Sequence, residues 1–129
     1  MGKYTDIQND VINKYDINIE TNSTCYRRTH AHVKNRKVCK WNQTNSMTST
    51  FTLLHEIGHI ETTKSNMRRC EEEFYATVWA IQRCKDYGLD IPAKIIKSYQ
   101  NYIDREHDRG VRRGGNLPKL STLQLNAYL

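Results

Sequence analysis

His55, Glu56 and His59 are spaced H-E-x-x-H within Phe51-Thr52-Leu53-Leu54-His55-Glu56-Ile57-Gly58-His59-Ile60-Glu61. On a helix, residues four apart lie one above the other on one face. Two imidazoles so placed can reach a single Zn²⁺, which takes nitrogen and oxygen ligands in a tetrahedral arrangement. Glu56 projects beside them and can contact water on the metal without binding the metal itself. As general base it would take that water's proton while Zn²⁺ polarises a scissile carbonyl. The pattern predicts a zinc-dependent peptidase. The bland alternative is a surface helix with solvated histidines. The setting opposes it, because Phe51, Leu54, Ile57 and Gly58 give the segment a buried face. Ser49 or Thr50 is expected to cap the helix start.

A catalytic zinc site normally draws a third ligand from the protein. Downstream, Cys70-Glu71-Glu72-Glu73-Phe74-Tyr75-Ala76-Thr77-Val78-Trp79-Ala80 reads as the next helix. Glu73 shares a face with Ala76, Thr77, Ala80 and Cys84. Those side chains are small, so this face can press against the histidine helix at Gly58, and Glu73 is the expected third ligand. Glu71 and Glu72 rotate away from the small stripe and suit an acidic first turn that complements the helix dipole. Cys84, on the same stripe, is a remoter candidate ligand.

The same two segments carry a family resemblance. Phe51–Ile60 resembles the F-T-x-A-H-E-x-G-H-x segment of the ImmA/IrrE metallopeptidases, and Glu73–Ala80 resembles that family's E-x-x-A-N-x-F-A helix. The match covers mainly residues 45–85. Leu54, Thr77 and Trp79 stand where the family has Ala, Asn and Phe, and the stretch between the motifs is short. The resemblance implies a compact, gluzincin-like domain of a bacterium, phage or mobile element. It implies a protein substrate as well, a repressor-like regulator that binds DNA. Proteases of the SprT group also pair H-E-x-x-H with basic surfaces, but they take a third His soon after the motif. Here none occurs between His59 and His107.

The elements that must position these residues follow from periodicity. Residues 3–15 hold Tyr4, Ile7, Val11, Ile12 and Tyr15 at helical spacing, with Thr5 or Asp6 near the start. Ile17–Thr21 alternates as a short strand. Cys25–Val33 and Val38–Trp41 flank Lys34-Asn35-Arg36-Lys37 as a β-hairpin with a polar turn. Asn42–Thr50 reads as a polar loop into the histidine helix. After the glutamate helix, Gly88 suits a C-cap and Pro92 the first turn of a further helix. That helix has an apolar stripe of Ile95, Ile96, Tyr99, Tyr102 and Ile103, and ends in the mixed-charge stretch Asp104–Gly110. His107 there is a minor candidate for steadying an oxyanion. The tail reads as a loop, with Leu117, Leu120, Leu123 and Leu125 tucked onto the body. The expected fold is one small α+β, zincin-like domain over residues 1–129. Its sheet lies ahead of the histidine helix, where an edge strand can pair with an extended substrate.

Charge is unevenly spread. The net charge is +6, and the whole of it falls between Cys25 and His55: Arg27, Arg28, Lys34, Arg36, Lys37 and Lys40, with no acid. With Tyr26, His30, His32 and Trp41 interleaved, this hairpin is a candidate surface for nucleic acid or an acidic protein partner. Its bland alternative is a solvated edge kept from aggregating by Lys and Arg. His30 and His32 fall on one strand face and are expected at the surface. A second function class follows from the same stretch: a zincin-fold protein that binds and inhibits a nucleic-acid-associated partner without cutting it. Cys70 and Cys84 lie fourteen residues apart on one predicted helix, about 21 Å, and cannot bridge. Without C-x-x-C pairs, the four cysteines read as buried thiols. No apolar run is long enough for a membrane and no leader for export is evident, so a cytoplasmic protein is expected.

Overall fold

A computed structural model describes residues 2–21 and 28–129. Cys25, Tyr26 and Arg27, assigned above to the hairpin and its basic surface, lie outside the described residues. The described chain is α+β and mostly helical. It runs α1 (Lys3–Lys14), β1 (Asn18–Glu20), β2 (His30–His32), β3 (Lys37–Cys39), α2 (Met47–Thr62), α3 (Arg69–Asp86) and α4 (Ala93–Arg112). Two 3₁₀ turns follow, at Leu120–Thr122 and Leu125–Tyr128. Among the described residues no helix is long and apolar enough to cross a membrane.

β3 is the central strand, with antiparallel β2 on one side and parallel β1 on the other. The hairpin between β2 and β3 closes through Arg36 N–H to the Val33 carbonyl, with Arg36 itself at φ 49°. The parallel partner of β1 has no counterpart in the sequence pattern, because alternation marks a strand without saying what it pairs with. It forms because Asp16, at φ 53°, turns the chain sharply out of α1. Asn18 N–H then reaches the Arg36 carbonyl and Lys40 N–H the Glu20 carbonyl. Val38 and Ile17 bury the inner side of this small sheet, which packs on α2.

α2 begins a turn earlier than expected. Its N-cap is Ser46, whose Oγ accepts Ser49 N–H at 3.1 Å. Ser49 and Thr50 are already helical and serve other groups: Trp41 Nε1 donates to the Ser49 carbonyl, and buried Gln8 Nε2 donates to Thr50 Oγ1. These bonds tie α1 and the strand exit to the head of the histidine helix. α1 starts at Lys3, as its spacing predicts, and Asn45 Oδ1 accepts the Tyr4 N–H from across the fold.

The α2–α3 contact is the most extensive in the molecule, and small residues make it so. A Cβ on Gly58 would lie 2.4 Å from the Ala76 carbonyl oxygen, so only glycine allows the helices this close. Ala76, Thr77, Ala80 and Cys84 are fully buried, as the small stripe predicts. Helix α4 runs past the mixed-charge stretch to Arg112, and Gly110 does not stop it. The absence of a side chain at Gly110 instead admits Leu117, whose Cδ1 would be 2.6 Å from an added Cβ. The tail is bound rather than loose: Gln100 donates to the Leu123 carbonyl and accepts Leu125 N–H, and both leucines are buried.

Candidate metal centre

The head of α3 meets the middle of α2 where the small faces touch, and this brings His55, His59 and Glu73 together. All three are buried, and one ligand atom of each lies within 4.8 Å of the other two. His55 Nε2 is 3.3 Å from Glu73 Oε1, and His59 Nε2 is 2.9 Å from Glu73 Oε2. An ion held at about 2.0–2.1 Å in a tetrahedron spaces its donors about 3.3–3.4 Å apart, equal to the first of these distances and somewhat more than the second. His55 Nε2 and Glu73 Oε2, both buried, lie close to the other groups of the cluster but meet none of them in good hydrogen-bonding geometry. Buried polar atoms are seldom left so.

Electrostatics agree with the geometry. Burial pushes the His55 imidazole down, but the Glu56 and Glu73 carboxylates outweigh it and raise it to about 9. Burial raises Glu73 in turn, and His55 and His59 more than reverse this, holding it well below the usual carboxylate range. The cluster therefore favours positive charge beside its carboxylates, and Arg69 meets part of this at 3.4 Å from Glu73 Oε2. A divalent cation answers the rest in place of a proton. The two nitrogens, the carboxylate and the orphaned atoms together fit Zn²⁺.

Glu56 lies beside the cluster and not in it. Its Oε2 is 3.5 Å from His55 Nδ1, too long for a good hydrogen bond, and its side chain opens onto a cleft of about 850 Å³. β2 forms one wall of the cleft, through His30 and Ala31, and α4 the other, through Tyr99, Tyr102 and Arg105. The Tyr99 ring stands 4.7 Å from that of His55, and burial pushes its phenol up to about 12, so it stays a neutral hydroxyl. Arg69 reaches in from the first turn of α3, 3.4 Å from Glu73 Oε2.

Glu71 and Glu72 keep the roles expected at a helix head: Glu71 accepts Arg68 N–H at 3.1 Å, and Glu72 lies beside Arg69. Two minor candidates are removed. Cys84 is eleven residues along α3 from Glu73, about 16 Å away, in the core, where burial pushes its thiol up to about 12. His107 donates from Nε2 to the Pro118 carbonyl at 2.7 Å, fastening the tail, and does not line the cleft. Its place at the cleft wall is taken by Tyr99 and Tyr102. Sequence periodicity had absorbed those two into an apolar stripe; the signal available was two phenols, rather than two aliphatic residues, three apart on that stripe.

The basic stretch divides on folding. Arg36 Nη2 lies 2.5 Å from Glu61 and 2.6 Å from the Tyr15 carbonyl, and Lys37 Nζ is 3.3 Å from Glu20. Acids from α2 and β1 thus meet two charges that have no acid near them in sequence. Arg28 lines the cleft, and Lys34 is exposed at the hairpin turn.

No family model, curated protein or solved structure matches the chain. The chemistry must be read from these residues themselves.

Proposed function

We propose that this chain is a zinc-dependent endopeptidase with a zincin-like domain, of the kind the ImmA/IrrE metallopeptidases represent. The observation that supports it best is the buried convergence of His55, His59 and Glu73, with orphaned ligand atoms, beside a non-ligand carboxylate in an open cleft. His55, His59 and Glu73 would hold the ion, which when bound supplies Lewis acidity to a carbonyl and lowers the pKa of water. Glu56 takes a proton from water in the cleft and returns it to the leaving amine. Tyr99 and Tyr102 offer hydroxyls from the opposite wall. β2 is an edge strand among the described residues, and its outer side suits an extended peptide. The substrate class is a repressor-like, DNA-binding protein of a phage or mobile element, met in the cytoplasm.

Glu56→Gln tests this reading. It keeps size and ligands, so zinc and fold are expected to survive while cleavage falls by ~10²–10⁴-fold. Full biological effect in Glu56→Gln, with no cleaved partner, would sink the peptidase reading and favour the inhibitory binding protein. Charge reversal then identifies the binding surface. Arg28 and Lys34 are the informative positions, because reversing Arg36 or Lys37 also breaks pairs inside the chain.

A further inference from the structure

The sheet face opposite Val38 carries a second group of metal-ligand side chains, two histidines expected at the surface and a cysteine expected to be buried. His30 stands opposite Cys39 in the antiparallel register, so both project from one face. His32, two residues along β2, projects with them. Glu20 is in register with Cys39 from the other side. The rings of His30 and His32 are 5.3 Å apart, and one ligand atom from each of His30, His32 and Cys39 lies within 4.8 Å of the other two. An ion about 2.0–2.3 Å from tetrahedral donors spaces them about 3.3–3.7 Å apart.

Two neighbours prepare the donors. His30 Nδ1 lies 2.8 Å from the Arg28 carbonyl oxygen, which can only accept. Nδ1 therefore carries the proton, and Nε2 keeps a lone pair for a metal. The Cys39 thiol donates to Glu20 Oε2 at 3.3 Å. A carboxylate thus already faces the proton that the sulfur gives up on becoming a ligand; that proton passes to solvent, one for each ion bound.

We propose that His30, His32 and Cys39 form a second zinc site, distinct from the His55/His59/Glu73 centre, which clips β2 to β3. Two imidazoles and a thiolate suit Zn²⁺ better than harder ions such as Mg²⁺ or Ca²⁺. Because β2 forms a wall of the cleft, the ion would stiffen the strand that flanks the helical centre.

Cobalt loading separates the two sites, because only this one has a sulfur ligand. Wild type and Glu73→Gln are loaded with Co²⁺ and, in parallel, with Zn²⁺. Both are expected to show a thiolate-to-cobalt charge-transfer band in the near ultraviolet, and Glu73→Gln is expected to retain one equivalent of zinc. Cys39→Ser should lose the band and one equivalent. Since Cys39 is buried, exposed His32→Ala provides a second variant, expected to weaken Co²⁺ binding at the band by more than the ~10–100-fold that losing a group supporting a ligand costs. No band in wild type, a band that persists in both Cys39→Ser and His32→Ala, or a disulfide mapped at Cys39 overturns the site. If the helical centre alone is misread, its equivalent is missing while the band remains, so the two readings fail separately.

Discussion

Two pairs of histidines in this molecule are arranged by two different backbone periods. His55 and His59 lie four apart on a helix, and His30 and His32 lie two apart on a strand, so each pair shares a face. In each case the neighbouring element adds one further donor, Glu73 from α3 or Cys39 from β3. The surroundings differ. The helical trio is buried on all three members, and its charges are held by one another and by Arg69 and Glu56. The strand trio has one buried, one half-buried and one exposed member. Burial makes the helical carboxylate costly without positive charge beside it; Arg69 supplies part of that charge, and His55 Nε2 and Glu73 Oε2 still lack well-formed hydrogen bonds. The strand cluster has a ready alternative, the thiol bonded to Glu20. The helical centre should therefore hold metal tightly and permanently, and the strand centre should exchange it.

Glu73→Gln should break the comparison most sharply. It removes the anion and leaves two buried imidazoles, and Gln offers only a weak neutral oxygen. Zinc affinity at the helical centre should fall by more than the ~10–100-fold that losing a supporting group around a ligand typically costs. The strand centre should be untouched. Competition with a chelator, read by elemental analysis, measures both. Equal retention of zinc by Glu73→Gln and wild type would show that α3 supplies no ligand.

How much of this could be read beforehand depends on where the donors sit in the chain. His55, Glu56 and His59 are contiguous, and the helical period fixes their relation without further information. Glu73 was also legible, because the run of Ala76, Thr77, Ala80 and Cys84 marked the contacting face and Gly58 marked the place it contacts. Cys39 was not legible as a partner of His30. That relation depends on hairpin register, and the expected turn at Lys34–Lys37 forms one residue earlier, at Val33–Arg36. The earlier turn changes the residue opposite Cys39 from the expected His32 to His30, two along the strand and on the same face. The parallel pairing of β1, the reach of α4 beyond Gly110 and the Ser46 cap depend on long-range contacts that local pattern does not encode. The same holds for the partners of Arg36 and Lys37, since Glu61 and Glu20 lie elsewhere in the chain.

Gly58→Ala sharpens the comparison by acting on packing instead of a ligand. The added Cβ would meet a backbone oxygen, which cannot rotate away as a side chain could. The helices must part, at a cost of about 1–3 kcal/mol, measured as a lower urea midpoint. Ala76 is one turn from Glu73, so the displacement reaches the ligand, and zinc at the helical centre should weaken by less than in Glu73→Gln. Strand-site metal should not change. If stability falls and helical zinc affinity stays at the wild-type value, close approach of α2 and α3 is not what positions Glu73.

The smallest effect expected comes from Arg36, the residue that physically joins the two regions. It sits in the turn that sets the β2–β3 register, and its guanidinium reaches Glu61, two residues beyond His59 on α2, and the Tyr15 carbonyl at the end of α1. A partly exposed pair of this kind is screened by solvent and typically contributes only ~0–1 kcal/mol. The bond to Tyr15 adds a comparable amount. Arg36→Ala should therefore lower the urea midpoint slightly. Arg36→Gly, which relieves the positive φ as well, should recover part of that loss. Neither change touches a ligand, so both sites should keep their metal. Loss of metal from the strand site alone would mean that the turn holds His30 opposite Cys39. If metal is lost from both sites at once, the bridge from the turn to α2 couples them, and they cannot be treated as two independent centres.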